Sequence, residues 1–331
     1  MKLLIAYDGS DCATAALDDL TKAGLPLHDV EATIVAIDET PPTFQLPGFA
    51  NGIFAESNLS TGAFAMDTEG SVCRAAHADK KATYAVSRLQ QQFPHWTIEK
   101  RALCGSPWFL LVQQIKELDP DLIVAGSHNK NMLQRLLFGS VSKYLADHAA
   151  CSVHITKAPL FASNGPPRLM LAVDGSEMSM LAVDAIASRH WPAGTYVCVV
   201  GVVDRNAFPP EFFANHSQSS AVLNYHQRTL EQALSAVAEK LSDIGLDVST
   251  VCRIGSPEET LEDEARRRHI DCVFLGAARH TLLQRTMCGS VSSTLVANAH
   301  CSVEIVRPRL NSDATPKTDC KKRYSNSVQF N

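Results

Sequence analysis

Residues 105–155 read GSPWFLLVQQIKELDPDLIVAGSHNKNMLQRLLFGSVSKYLADHAACSVHI, and residues 255–305 read GSPEETLEDEARRRHIDCVFLGAARHTLLQRTMCGSVSSTLVANAHCSVEI. Without a gap they agree at 19 of 51 positions, against about 3 for unrelated sequences of average composition. The agreement is ordered. Gly-Ser-Pro precedes a helical stretch, a short aliphatic run ends in Gly126 or Gly276, and Leu-Gln-Arg leads to Gly-Ser-Val-Ser and then Cys-Ser-Val. Upstream, Ala6-Tyr-Asp-Gly-Ser10 matches Ala172-Val-Asp-Gly-Ser176 and Asp38 matches Asp204, now at an offset of 166 instead of 150. The chain is a duplication, and its first copy carries 16 extra residues, assigned to the stretch 41–66.

Each copy alternates short aliphatic runs with amphipathic stretches. The runs at 3–7, 32–37, 97–103, 122–125 and 152–156 read as strands buried on both faces, and those at 169–173, 196–203, 248–254, 272–275 and 302–306 repeat them. Helices are expected at 11–23, 68–92, 108–118 and 140–148. Ser10 or Asp11 can cap the first, and Ser106-Pro107 supplies a cap and a first-turn proline for the third. This alternation predicts an α/β fold: two tandem doubly wound domains, each a five-stranded parallel sheet covered by helices. The expected boundaries are a first domain at 1–157, a linker at 158–167, a second domain at 168–307 and a polar, disordered tail at 308–331.

The 331 residues suffice for two cores, and 45% hydrophobic with 20% charged residues is the composition of a soluble globular protein. With 30 basic and 35 acidic residues the net charge is -5, which argues against a nucleic-acid partner. No apolar run reaches membrane-spanning length, so a membrane partner is not expected and a cytoplasmic location is. The ten cysteines form no C-x-x-C pair and read as reduced core thiols; neither they nor the histidines offer metal-ligand spacing.

Ligands of such sheets bind beyond the carboxyl ends of the strands. The repeated polar residues fall there. Asp8 and Asp174 end the first strands, where a carboxylate can accept from a base or sugar hydroxyl or simply shape a turn. Gly126 and Gly276 end the fourth strands, and Gly139-Ser140 and Gly289-Ser290 open the last helices, whose free N–H groups suit an anion. Ser142 and Ser292 offer further hydroxyls. No P-loop, G-x-G-x-x-G or G-x-S-x-G pattern is present.

A strand followed by Asp-Gly-Ser, then Gly-Ser-Pro, then a glycine-rich loop into Gly-Ser resembles the universal stress protein family, here with two copies in tandem and an adenine nucleotide alpha hydrolase-like fold. The resemblance implies that Asp8 with Ala36, and Asp174 with Val202, contact adenosine. It also implies that Gly126, Gly139, Ser140 and Ser142, and Gly276, Gly289, Ser290 and Ser292, hold ribose and phosphates. The family's second glycine is Asn129 in one copy and Arg279 in the other. Asparagine tolerates a left-handed backbone better than arginine, which makes the first copy the better nucleotide site. The implied function is a stress-response protein binding ATP or a related adenine nucleotide, with Mg2+ as accompanying cation, as a regulatory ligand with at most slow hydrolysis. The alternative is a dimerisation and interaction module whose sites have decayed. The resemblance also implies an intramolecular pseudo-dimer, with a homodimer of such chains as a further assembly.

Overall fold

The computed structural model describes residues 1–39, 68–127, 140–157, 165–214, 216–277 and 289–309. In the first half the strands are β1 (Lys2–Tyr7), β2 (Glu31–Asp38), β3 (Thr97–Cys104), β4 (Leu122–Gly126) and β5 (Ser152–Thr156). The helices between them are α1 (Asp11–Asp19), α2 (Thr68–Gln92), α3 (Pro107–Leu118) and α4 (Ser140–His148). The second half repeats them as β6 (Arg168–Ala172), α5 (Glu177–Ala187), β7 (Tyr196–Asp204), α6 (His216–Ser242), β8 (Asp247–Gly255), α7 (Pro257–Arg267), β9 (Cys272–Gly276), α8 (Ser290–Asn298) and β10 (Ser302–Val306). The extra stretch at 41–66, most of the linker and most of the tail lie outside the described residues.

Within each half all strands are parallel, and the two five-stranded sheets join edge to edge. The order is β3-β2-β1-β4-β5-β10-β9-β6-β7-β8. The junction is the antiparallel pair β5–β10, with Glu304 opposite His154 at its centre. An apolar strand left at an edge would invite pairing with another chain, and each half covers the other's. The halves thus form an intramolecular pseudo-dimer.

Strand residues alternate between two cores. Leu3, Ile5 and Tyr7 of β1 pack under α1 and α2, whereas Leu4 turns to the opposite face. On that face one core runs through both halves, with Leu111, Leu145, Leu261 and Leu295 from α3, α4, α7 and α8 resting on Val153 and Val303. Full burial of such side chains contributes about 1.5–3 kcal/mol each. The other face of the second half is a separate core under α5 and α6.

Polar groups tie the seam as well. Lys157 donates to the carbonyls of Ala299 (2.6 Å) and Ala297, and Arg307, 150 residues on, donates to those of Cys151 (3.2 Å) and Ala146. Each half therefore places a cation against the carboxyl end of the other's last helix, where the helix dipole favours it. Burial pushes the Lys157 ammonium down to about 8. One cluster breaks this symmetry. The Glu304 carboxylate accepts from His154 Nδ1 (3.0 Å) and from both terminal nitrogens of Arg189, one at 3.0 Å, while Arg189 also donates to the Ala23 carbonyl. Burial alone would raise the Glu304 carboxyl, but the Arg189 charge and the His154 hydrogen bond outweigh it and hold the group at about 2.

Two local expectations need correcting. The first helix ends at Asp19, residues 20–22 form a tighter turn, and the Asp19 side chain accepts from the Ser302 hydroxyl across the seam at 3.2 Å. Pro107 does open α3, but the Ser106 side chain makes no capping bond, whereas Ser256 caps α7 through the Glu259 N–H.

Candidate functional site

Strand order reverses beside β1 in the first half and beside β6 in the second, which puts a cleft at the carboxyl end of each. The turns that floor these clefts are near copies. The Ser10 N–H donates to Asp8 Oδ1 at 2.9 Å, and Ser10 Oγ accepts from the Ala13 N–H, capping α1. In the second half the Ser176 N–H donates to Asp174 Oδ1 at 2.9 Å and Ser176 Oγ caps α5 through Ser179. Each aspartate thus shapes its turn while its carboxylate stays exposed at the cleft. Partial desolvation works against ionisation of Asp174, but hydrogen bonds from Ser176 and Ser179 prevail and hold its carboxyl below the usual range.

The strand-four glycines have a structural cause. A Cβ on Gly126 would lie 2.9 Å from the Cys12 carbonyl oxygen, and one on Gly276 only 1.8 Å from that of Met178. The first helix of each half crosses too close for any side chain. The hydroxyls of Ser142 and Ser292 are likewise engaged and buried, donating to the carbonyls of Gly126 (3.1 Å) and Gly289 (3.0 Å). Ala36 is fully buried between Tyr7 and Ala102 in the sheet, and Val202 is half-buried against the shared core. Neither stands beside its aspartate as an exposed side chain.

Gly289 is different. It is exposed, its φ is -48°, and among the described residues a Cβ there would meet nothing within 4 Å. Its backbone conformation is open to any residue at this helix start. Ser290, next along, is exposed and donates to Glu258 Oε1 at 2.7 Å. Ser140 opens α4 in the matching place; its side chain, with Gly139, Asn129 and Arg279, lies outside the described residues.

Sequence comparison matches residues 1–157 and again 167–307 to the universal stress protein family. The chain belongs to that family. Among curated relatives, a universal stress protein of Methanocaldococcus jannaschii is 24% identical over 143 residues, covering 42% of this chain and 81% of its own length. The universal stress protein YxiE of Bacillus subtilis is 27% identical over 150 residues, covering 42% of this chain and 98% of its own. Each of these relatives corresponds in length to one half. A solved universal stress protein from Archaeoglobus fulgidus superposes with a TM-score of 0.58 at 14% identity, covering 92% of this chain and 98% of that one, so the tandem fold is shared. Among the described residues of this universal stress protein, no helix is long and apolar enough to cross a membrane.

Two side chains at the clefts were not singled out from the sequence. Lys81 of α2 lays its stem along the first turn, its Cδ and Cγ 3.2 Å from where a Cβ on Gly9 would be, and its ammonium reaches Asp38 Oδ1 at 3.3 Å. His77 reaches the same carboxylate at 3.2 Å. Desolvation opposes ionisation of Asp38, and these two bonds overcome it, leaving its carboxyl below the usual range. Glu258 is the second, with Oε2 accepting from Ser256 Oγ at 3.2 Å in addition to the Ser290 bond. A signal for both was present: at the 150-residue offset Lys81 faces Glu231, and Glu258 faces Trp108.

Proposed function

We propose that this universal stress protein binds ATP or a related adenine nucleotide in at least one of its clefts, as a regulatory ligand and not as a substrate turned over rapidly. Asp8 and Asp174 receive the nucleoside, and in the first cleft the helix start at Ser140 receives the phosphates, with Mg2+ as accompanying cation. The reading is carried by the exposed carboxylates of Asp8 and Asp174, each held by its Gly-Ser turn beside the point where strand order reverses. The last helix of each half opens toward the same end of the sheet, with its first-turn N–H groups free of a side-chain cap in α8. The exposed aspartate at the opposite side of each cleft supplies the complementary acceptor.

The test is thermal unfolding of the full chain with and without ATP. At a concentration near 100 times its dissociation constant a bound ligand adds about 2.7 kcal/mol, a shift of several degrees. The shift is expected to vanish in the D8A/D174A double variant. No shift at millimolar ATP, with no nucleotide released on denaturing freshly purified protein, would overturn the reading and leave the interaction module in its place.

A further inference from the structure

We propose that Glu258 sets the ligand of the second cleft: its carboxylate holds the phosphate position at the start of α8, so this cleft takes an adenine nucleoside without phosphates and excludes ATP. The inference rests on the nucleotide reading above and divides it between the two halves.

The second cleft is open at one end and occupied at the other. Among the described residues a Cβ on Gly175 would meet nothing within 4 Å, and Asp174 is exposed, the end of the cleft to which the reading above assigns base and ribose. At the other end Glu258 accepts from Ser290 (2.7 Å) and Ser256 (3.2 Å). A serine hydroxyl has a single hydrogen to donate, so Ser290 can serve Glu258 or a phosphate oxygen but not both. The Ser290 bond, with a backbone bond and that of Ser256, also keeps the Glu258 carboxyl below the usual range. It is therefore an anion at neutral pH, and a second anion brought to the same donors is repelled. The first half carries Trp108 at the matching position, an uncharged ring packed 5.3 Å from Tyr144. Its helix start faces no such competitor from that position.

The experiment is calorimetric titration of the full-length D8A variant, in which the first cleft is silenced, with adenosine and with ATP in the presence of EDTA. D8A is expected to bind adenosine about tenfold or more tightly than ATP, and D8A/E258Q to lose that preference through a gain in ATP affinity while adenosine is unchanged. Glutamine keeps the acceptor toward Ser290 and removes only the charge. A merely structural Glu258 would move the melting temperature and leave the ligand ratio alone. An unchanged ratio in D8A/E258Q, with binding still abolished by D174A, would overturn this proposal and spare the nucleotide reading. ATP binding by D8A that Mg2+ raises to the level of D8A/E258Q would make Glu258 a cation ligand and overturn it as well. If neither ligand shows Asp174-dependent binding, the proposal and its parent reading for this cleft fall together.

Discussion

In the first half Lys81 lies along the Gly9 turn and reaches Asp38; in the second, no described residue lies within 4 Å of a Cβ on Gly175, and Glu231, at the matching position of α6, pairs instead with Gln227 at 2.8 Å. At the other end of the clefts the contrast reverses, with Glu258 at the second helix start and Trp108 in the first. Duplicated frames have diverged at opposite ends of the same cleft. Magnitudes decide what this means for ATP. A lysine–carboxylate pair near the surface contributes about 1 kcal/mol or less, a small cost for displacing Lys81. Two like charges about 4 Å apart cost between about 1 and 4 kcal/mol, depending on how much water reaches them, and ATP brings several. On the proposal above, the first half is therefore the better triphosphate site despite its lysine.

The asymmetry is largest at the seam, where Arg189 corresponds to Ala23 at the 166-residue offset. Arg189→Ala leaves Glu304 charged and buried, and is expected to cost about 3–5 kcal/mol in urea unfolding. Because Glu304 lies at about 2 in the folded chain against an ordinary 4.5, its contribution is complete above 4.5 and lost as pH falls from there toward 2. In R189A that acid-dependent loss is expected to shrink. A cost under about 1 kcal/mol would show that the seam does not depend on this cluster.

Next in size is the difference between the strand-four glycines. Gly276→Ala meets backbone at 1.8 Å and Gly126→Ala at 2.9 Å. Overpacking of this kind costs about 1–3 kcal/mol, occasionally more, so G276A belongs at or above the top of that range and G126A near its foot. Equal shifts in unfolding midpoint would mean that the two helix crossings are closer to equivalent than their geometry indicates. The smallest effect is that of Lys81→Ala, expected to raise ATP affinity of the first cleft by about fivefold at most, measured in a D174A background. A loss of affinity would make Lys81 a phosphate ligand instead of an obstruction.

Much of the frame was legible in the sequence. Aliphatic runs such as 122–125 admit little but a buried parallel strand, and Ser10 and Ser176 cap their helices as their positions before Asp11 and Glu177 suggest. Ser106 and Ser256 show where local reading stops, since the same Gly-Ser-Pro forms a side-chain cap in one copy and not in the other. Local sequence likewise gives no sign that Asp19, the last residue of α1, meets Ser302, 283 residues away. At the clefts, Asp8 and Asp174 stand exposed, while the Ser142 hydroxyl is taken by the Gly126 carbonyl, that of Ser292 by Gly289 three residues before it, and the Ala36 methyl is buried in the sheet. Lys81 and Glu258 were hidden for a different reason. They differ between the copies, and a search for repeated residues passes over what is not repeated.

The apolar layer beneath α3, α4, α7 and α8 belongs to both halves at once. Neither half has a complete interior of its own to retreat to, so the natural unit of melting is the entire chain. On the proposed reading, a molecule lodged in either cleft then steadies the other without any message passing between them, because both draw on one shared transition.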